Sequence, residues 1–520
     1  MARFSYLLVF LSALALRLSM PLSGGGLVGN YSYDAGVYYS AGAALVHGRM
    51  PYRDFVLLHP PGIALAVAPA AWVGRFTSAS VGFAIAVLEF SVLGALSAVL
   101  VVVVARAVGA GTRMATIGGL FYAAWFVSVR AEYLNRLEPL GNFLVLCGLV
   151  AYVRTEGRHG NRWALVSGVA LGAATAVKIW YAVPLVVVLC FLGARRGLRA
   201  AGWASLGATG ALGMICGPFF ALAPSSMWRM VVSEQVARDQ SNPLRALVSL
   251  QRLPAGISWP TAYLLDAVVL VVAGVLLVAA RRAPAVRLPA ALLFTSSVVL
   301  FAAPSWFLFY GDYLAPAAAL CVATVPLALG PTWRQTGPLL TRSCAIAGAT
   351  IVALVVVGSA EAMWYRPATA ATALPARQLA SAVSSVACVS SDSPMALIGL
   401  NALDRDLSNG CVDWVDVTGR AYASDMIVRG QDGRQVPRVA NPRWQKALGS
   451  YLRSGEAVII IRSKDSGISP TTLDAIQGGG ILAASGTDVV YAVHDSGSAA
   501  GGHHPPGSSA AAPADQRPRD

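Results

Sequence analysis

Long apolar runs, each close to the thickness of a bilayer, constrain the fold of this chain more than any other feature. A helix that crosses a membrane needs about 20 mostly apolar residues. A shorter apolar run at 63–73 cannot cross and is predicted to be a re-entrant or interfacial helix, which is tolerated where protein covers it. Roughly eleven spans are predicted, at 4–22, 79–105, 114–129, 139–153, 163–181, 182–194, 202–222, 260–280, 288–308, 313–330 and 343–360.

The composition agrees with a multi-pass membrane protein. Of the 520 residues, 56% are hydrophobic and 12% are charged, against about 25% charged in soluble domains. Lys and Arg number 39 against 25 acids, a surplus that in a soluble protein would suggest nucleic acid. Here the basic residues lie between the apolar runs, so membrane topology explains them and no nucleic-acid partner is predicted.

The distribution of arginine predicts how the spans are oriented. Every second short loop is basic, as the positive-inside rule requires of cytoplasmic loops. The N-terminus is then cytoplasmic, and an odd number of spans places everything after about residue 360 outside the cell. A cleaved signal peptide is the alternative for the first segment. The basic loops contain Arg106 and Arg113, Arg154, Arg158 and Arg162, Arg195, Arg196 and Arg199, Arg281, Arg282 and Arg287, and Arg334 and Arg342.

The chain divides into three regions: a membrane domain at 1–360, a polar region at 361–495 and a tail at 496–520. In the polar region, strand-like runs at 395–400, 458–461 and 489–493 alternate with helix-like stretches at 377–387 and 443–452. This alternation predicts a small extracytoplasmic α/β domain. The tail is rich in Gly, Pro, Ala and Ser, which predicts disorder.

Four residues of the polar region carry further expectations. Cys388 and Cys411 would lie outside the cell, where a disulfide is permitted, although two buried thiols in neighbouring strands are the alternative. Asp413 and Asp416 alternate along a strand-like run and are predicted to form a solvated face. The remaining cysteines form no CxxC pair and no metal-ligand cluster.

Polar residues concentrate in the loops that should converge on the outer face of the membrane. The first outer loop contains Asp34, then Pro51-Tyr52-Arg53-Asp54, then Pro60-Pro61-Gly62; Glu138-Pro139 begins a later span, and Lys178 ends another. These motifs resemble the GT-C superfamily of membrane glycosyltransferases, in particular the branch of protein O-mannosyltransferases and lipid A aminoarabinose transferases. The resemblance covers about residues 1–360 and is most specific over 34–62.

The resemblance implies a GT-C-like, all-α membrane domain with a defined reaction. Such enzymes transfer a sugar from a polyprenyl-phosphate carrier to an acceptor hydroxyl, with inversion. The acceptor would be an envelope glycan, a glycolipid or a protein. The Ala/Arg/Gly/Val bias is typical of a high-GC bacterium.

Two positions depart from the sequence pattern of this family. Ala35 follows Asp34 where many members have a second acid, and Asp312 precedes Tyr313 where many have Arg.

Asp34 is the predicted catalytic base, because a carboxylate beside the acceptor hydroxyl can take its proton. The structural alternative is a helix cap, for which Asp is also preferred. Glu138 is predicted to bind substrate, and a divalent metal held by Asp34 and Glu138 is a possible cofactor. Glu132 is expected to be structural, paired with Arg130 or Arg136.

Lys178 is expected to hold the donor phosphate as a point charge, with interfacial snorkelling as the alternative. Asp54, His59 and Arg136 complete the predicted donor site. Asp54 could instead pair with Arg53, and His59 could simply bond a neighbouring carbonyl.

Two other function classes remain open at this level. A transporter or flippase of a lipid-linked glycan would more often show inverted repeats and charges near the bilayer midplane. In this sequence no paired halves are visible, and only Glu89 lies clearly deep within a predicted span. A structural or binding subunit would use the outer domain to hold a partner, and the acids of the first outer loop would then be dispensable.

Overall fold

The computed structural model describes residues 2–23, 26–28, 32–236, 283–303, 307–329, 376–485 and 488–493. The spans predicted at 260–280 and 343–360, and the tail at 496–520, lie outside the described residues. The membrane domain is built from apolar helices connected by short loops. Its helices are α1 (Ala2–Ser23), α2 (Tyr33–Val46), α3 (Gly62–Phe76), α4 (Ala79–Ala107), α5 (Thr112–Ala124), α6 (Phe126–Glu132), α7 (Leu137–Val153), α8 (Gly160–Thr175), α9 (Ala182–Arg196), α10 (Leu198–Leu222), α11 (Pro224–Trp228), α12 (Glu234–Val236), α13 (Pro284–Ala302) and α14 (Ala315–Leu329).

Several of these helices have the length and hydropathy of membrane spans. Within the described residues, five helices meet both criteria, and α5 with α6 would make a sixth, bent by 58°. The apolar run at 63–73 is the 15-residue helix α3, too short to cross a membrane of about 30 Å. The multi-pass character is therefore confirmed, while the total of eleven spans stays a prediction.

Small residues allow α8 and α10 to pack closely. Gly168 and Gly172 on α8 face Ala204 and Ala208 on α10, and a Cβ on Gly172 would approach the Ala208 carbonyl oxygen to 2.6 Å. This is the small-xxx-small spacing by which membrane helices bring their backbones together.

A buried ion pair ties α1 to the rest of the bundle. Arg17 Nε donates to Glu132 Oε2 at 2.9 Å, and the Tyr122 hydroxyl donates to Glu132 Oε1 at 2.5 Å. Both charged side chains are fully buried. Glu132 is therefore structural, but the expected partners, Arg130 and Arg136, were wrong. Arg17 lies 115 positions away in sequence, so local spacing could not reveal it.

The basic loops within the described ranges lie at one end of the bundle. The connections α4–α5, α7–α8 and α9–α10 alternate with those at the opposite end. Arg195 Nη2 donates to the Pro284 carbonyl at 3.0 Å, which brings the start of α13 to the same basic end. The opposite end carries the residues of the candidate site.

A second, mixed domain covers that opposite end. Four strands pair in the order β1-β2-β4-β3, with β1 parallel to β2 and the other neighbours antiparallel. The strands are β1 (Val389–Ser391), β2 (Ala457–Ile459), β3 (Ile481–Ser485) and β4 (Asp488–Ala492), and the helices are α15 (Ala376–Val383), α16 (Pro394–Gly399), α17 (Leu403–Ser408), α18 (Val417–Arg420), α19 (Pro442–Leu452), α20 (Ser463–Ser466) and α21 (Pro470–Gln477).

Two local predictions in this domain were wrong. The run at 395–400 is helix α16 and not a strand, because Ser393 occupies the N-cap and Pro394 the first turn, where proline is tolerated. The run around Asp413 and Asp416 is irregular, and Asp416 caps α18 by accepting the Gly419 N–H at 2.7 Å. The run is therefore not a solvated strand face. Cys388 and Cys411 form a disulfide beside it.

The α/β domain packs directly on α2 and α4. A Cβ on Gly36 would meet Met395 of α16, and the Asn401 side chain accepts the Ser80 N–H at 3.0 Å. One continuous hydrophobic cluster runs from α2, α3 and α4 into this domain, so the two domains share a core.

Candidate active site

A cavity of about 660 Å³ lies where the membrane helices meet the α/β domain. Its walls come from the first residues of α2, the 57–59 segment, the start of α7, the 307–310 segment and the loops of the α/β domain. The lining residues include Tyr33, Asp34, Tyr38, His59, Arg136, Glu138, Phe309, Tyr310, Asp416, Thr418, Arg438, Arg462, Lys464 and Asp465.

Asp34 lies in the first turn of α2, half-buried at the edge of this cavity. Ser32 and not Asp34 occupies the N-cap position, so the capping interpretation of Asp34 is wrong. A carboxylate in the first turn still benefits from the positive end of the helix dipole. Asp34 thus lines the cavity from the first turn of α2.

Arg136, at the N-cap of α7, lines the same cavity as Asp34. Its Nη2 donates to Ser32 Oγ at 3.0 Å, and its guanidinium carbon lies 4.4 Å from the centre of the Phe309 ring. The Nε–H is buried and has no hydrogen-bond partner among the residues described. An anionic group entering the cavity could accept that hydrogen bond.

Glu138 and Lys178 form a buried ion pair at the inner wall. Lys178 Nζ lies 2.7 Å from Glu138 Oε1, and both side chains are at most 3% exposed. The ammonium also lies 3.8 Å from the Trp180 ring centre and 4.2 Å from that of Tyr310. Cation–π contacts of this kind help to offset the cost of burying the charge. Lys178 is held inside the protein and does not snorkel to the interface.

Lys178 reaches this place because the chain turns just before it. Helix α8 ends at Thr175, and Lys178 itself has extended backbone angles of φ −147° and ψ 127°. Gly62 of the Pro-Pro-Gly motif packs against this turn, with its N–H donating to the Ala176 carbonyl at 2.9 Å. A Cβ at position 62 would lie 2.5 Å from that oxygen, which explains the glycine.

A polar chain continues from this pair toward Asp312. The Tyr181 hydroxyl donates to Asn142 Oδ1 at 2.9 Å, and Asn142 Nδ2 donates to Asp312 Oδ2 at 3.0 Å. Asn142 and Asp312 are fully buried. Asp312 therefore supports the wall behind the cavity rather than lining it.

Asp54 and His59, predicted together, are separated in the structure. His59 lines the main cavity, its ring edge-to-face with Tyr38 at 5.9 Å. Asp54 lines a second cavity of about 310 Å³. There it pairs with Arg53 at 2.8 Å and accepts the Met50 N–H at 2.7 Å. The hydrogen bond from Arg53 lowers the pKa of Asp54, so the carboxylate stays charged. Its contacts with Arg53 and Met50 hold this turn closed.

A divalent metal ion held by Asp34 and Glu138 stays a prediction. No group of three or more His, Cys, Asp or Glu side chains gathers anywhere in the ranges that the structure describes. Of the two expected ligands, Glu138 is already neutralised by Lys178. No chemical step is therefore derived through a metal.

The α/β domain contributes cations that the sequence interpretation missed. Arg438, Arg462 and Lys464 line the main cavity from above. Arg462 and Lys464 directly follow the strand-like run at 458–461, and loops after strands often carry function. Their position after a strand-like run could have indicated a functional role. The α/β domain was predicted as a separate unit, so these cations were not assigned to the site of the membrane domain.

Known structures share this architecture. Archaeal oligosaccharyltransferase AglB from Archaeoglobus fulgidus, in complex with an inhibitory peptide and a dolichol-phosphate, gives a TM-score of 0.55 at 12% identity over 89% of this chain and 70% of that chain. ArnT from Cupriavidus metallidurans bound to undecaprenyl phosphate gives a TM-score of 0.51 at 17% identity over 94% of this chain and 98% of that chain.

A more distant match involves the S. cerevisiae protein O-mannosyltransferase Pmt1–Pmt2 complex bound to the sugar donor. At 17% identity and a TM-score of 0.32, it covers 49% of this chain and 37% of that chain. No curated protein matches this sequence.

The helical bundle and the site beneath its mixed domain define a multi-pass membrane protein with the GT-C fold. The sequence further matches the family described as Glycosyltransferase family 87 over residues 57–309. The family match and the fold together support a membrane glycosyltransferase.

Proposed function

We propose that this protein transfers a sugar from a polyprenyl-phosphate carrier to an acceptor hydroxyl on the extracytoplasmic face, with inversion at the anomeric carbon. One observation carries the proposal: the Asp34 carboxylate and the Arg136 guanidinium line the same cavity. A base and a phosphate-binding cation are the two groups that this reaction requires.

The reaction assigns a role to each group. Asp34 takes the proton of the acceptor hydroxyl as its oxygen attacks the anomeric carbon. The bond from that carbon to the phosphate oxygen breaks, and the polyprenyl phosphate leaves with the electron pair. Arg136 stabilises the charge that develops on the phosphate, since a preorganised donor in a water-poor site acts strongly there.

The buried ion pair suggests a role for Lys178 that differs from the expected one. A donor phosphate approaching Lys178 would compete with Glu138 at 2.7 Å. We therefore assign the phosphate to Arg136, assisted by the cations of the α/β domain. Glu138, oriented by Lys178, accepts hydrogen bonds from sugar hydroxyls, and His59 forms part of the same wall.

Two features support a lipid-linked donor. The cavity opens at the end of a bundle of apolar helices, so a carrier could reach it from the bilayer. ArnT, which shares the fold over 98% of its length, binds undecaprenyl phosphate in its solved structure. An envelope glycan, a glycolipid or a protein is the proposed acceptor class.

A transfer assay tests this function. Purified protein in lipid nanodiscs would receive radiolabelled polyprenyl-phosphate sugar together with a membrane extract as the source of acceptors. We expect the label to move from the carrier to an acceptor. In sealed vesicles, movement of intact labelled carrier across the bilayer, with no transfer of its sugar, would instead support a flippase.

A further inference from the structure

The contacts around the start of α2 point to a role for the α/β domain in catalysis. We propose that Tyr33 and Asp416 form a clamp through which this domain positions the Asp34 carboxylate. Tyr33 is thus a positioning residue and not a catalytic one. The inference rests on the proposed function, since it presupposes that Asp34 is the base.

Tyr33 is joined to the α/β domain by two hydrogen bonds through one hydroxyl. The hydroxyl donates to Asp416 Oδ1 at 2.8 Å and accepts the Thr418 N–H at 2.6 Å. Asp416 is itself held in place, because the same oxygen accepts the Gly419 N–H at 2.7 Å. These bonds join positions more than 380 residues apart in sequence.

Arg462 completes the clamp by covering the ring of Tyr33. Its guanidinium carbon lies 4.0 Å from the ring centre. The backbone at this point is anchored by Asp392, which accepts the Arg462 N–H at 2.8 Å and the Ile461 N–H at 2.9 Å. Two segments of the α/β domain therefore contact Tyr33, one at its hydroxyl and the other on the face of its ring.

The hydroxyl stays protonated, as the donor role requires. Burial, followed by the charge of Asp416, raises the pKa of Tyr33 well above its ordinary value. The bond to Asp416 is then a charge-assisted hydrogen bond, which is stronger than one between neutral groups.

The clamp restrains Asp34 because Tyr33 and Asp34 are neighbours in the first turn of α2. First turns of helices lack part of their backbone hydrogen bonding and fray easily. The membrane domain holds the flanking residues, through Arg136 on Ser32 and through the Asn135 side chain on the Ala35 carbonyl at 2.8 Å. Tyr33 adds the restraint from the α/β domain. A displacement of about 1 Å can cost ~10²-fold in rate, so this restraint should matter for turnover.

The decisive variant is Tyr33→Phe, which removes the hydroxyl but keeps the ring beneath Arg462. We expect kcat to fall about 10-fold, less than the ~10²-fold of a 1 Å displacement, because the hydrogen bonds to Ser32 and Ala35 remain. KM for the polyprenyl-phosphate sugar should stay the same. Asp416→Asn keeps an oxygen that can accept both hydrogen bonds but loses their charge assistance, so its kcat should fall, though less than that of Tyr33→Phe. Tyr491→Phe is the matched control: it loses one exposed hydrogen bond, from Gln477 at 3.2 Å, in the same domain, and should behave as wild type.

A double-mutant cycle with Asp34→Asn separates the possible outcomes. If the clamp acts through Asp34, Tyr33→Phe should lower kcat in the wild-type background and have no effect in the Asp34→Asn background. Equal losses in both backgrounds, or wild-type turnover of Tyr33→Phe, would overturn the clamp while leaving the function intact. Normal transfer by Asp34→Asn alone would instead refute the base assignment.

Discussion

At the scale of single residues, Asp34 is the proposed base, and the structure removes its competing role as a helix cap. Ser32 occupies the cap position, and Asp34 follows in the first turn at the cavity. Its type and its place in the first outer loop were visible in the sequence. The sequence did not reveal which residue caps α2, since Ser, Asp and Asn are nearly equal as caps.

Asp34→Asn should therefore abolish most turnover without disturbing the fold. The amide keeps the shape but cannot accept the proton, so we expect a loss of at least ~10²-fold in kcat. Binding of the donor should persist, because Arg136 is unchanged. Asp34→Glu should recover little, since the added methylene displaces the carboxylate. Steady-state kinetics with the labelled carrier provide the measurement, and Asp432→Asn on the exposed surface is the control.

At the scale of helices and connections, buried ion pairs hold the site together. Glu138 begins α7 and Lys178 follows α8, so their pair closes the gap between these helices on the inner wall. A buried charge that loses its partner is strongly unfavourable, whereas neutralising both members of a pair can be tolerated.

Lys178→Met should lower the stability of the bundle by about 3–5 kcal/mol. Adding Glu138→Gln to this variant should restore much of the loss, because no buried charge then remains unpaired. Denaturant unfolding in detergent micelles, followed by helical circular dichroism, measures both changes. Equal destabilisation in the single and double variants would show that the pairing of charges is not what matters.

Raised pKa values of carboxyl groups in the described part of the α/β domain should make it less stable as the pH rises. Burial raises the pKa of Asp406 to about 7, and those of Asp392 and Asp413 to about 6. A raised pKa means that the folded form holds its proton more tightly than the unfolded form. The resulting contribution to the free energy of unfolding is fully present below the unfolded pKa of about 4. It is lost as the pH rises through the pKa of the folded form.

Asp406→Asn should thus stabilise the domain at alkaline pH. Its Oδ2 atom is buried and has no hydrogen-bond partner in the described part of the chain. A shift of one pKa unit corresponds to about 1.4 kcal/mol, so a gain of at least about 1 kcal/mol is expected at pH 8, with little change at pH 4. Thermal unfolding across this pH range would show that the stability of the variant falls less with rising pH than that of the wild type. An equally steep fall in both proteins would count against burial of the Asp406 charge.

The whole molecule has two chemically distinct ends. Basic loops gather at one end, while the cavity and the α/β domain occupy the other. The positive-inside rule therefore predicts that the cavity faces away from the cytoplasm. This orientation suits a lipid-linked donor, which needs no nucleotide outside the cell.

Cysteine labelling tests that orientation. Arg434→Cys, at a side chain 86% exposed in the α/β domain, should react with an impermeant thiol reagent in intact cells. Arg158→Cys, in the exposed α7–α8 loop, should react only after the cells are permeabilised. The background would lack the five cysteines outside the disulfide. Labelling of position 158 in intact cells would contradict the predicted topology.

Features that depend on neighbouring residues were accessible from the sequence. Apolar runs of the right length predicted the membrane helices, and helix α19 appeared at its expected place. The motifs at 34–62, Arg136 and Glu138 predicted which residues meet at one end of the bundle, because alternate connections must share a face. Asp54 was grouped with them wrongly, since the Arg53–Asp54 turn points into a different cavity.

What only the tertiary structure decided concerns partners that are far apart in the chain. Arg17 with Glu132, Lys178 with Glu138, and Tyr33 with Asp416 are separated by 115, 40 and 383 positions. Hydrophobicity and helical periodicity report the environment of a residue and its near neighbours, and carry no information about which distant side chain fills the remaining space. The sequence by itself therefore determined the membrane class and the end of the bundle where the chemistry gathers. Packing of the α/β domain onto α2 decided which charges are neutralised there and what holds the base in place.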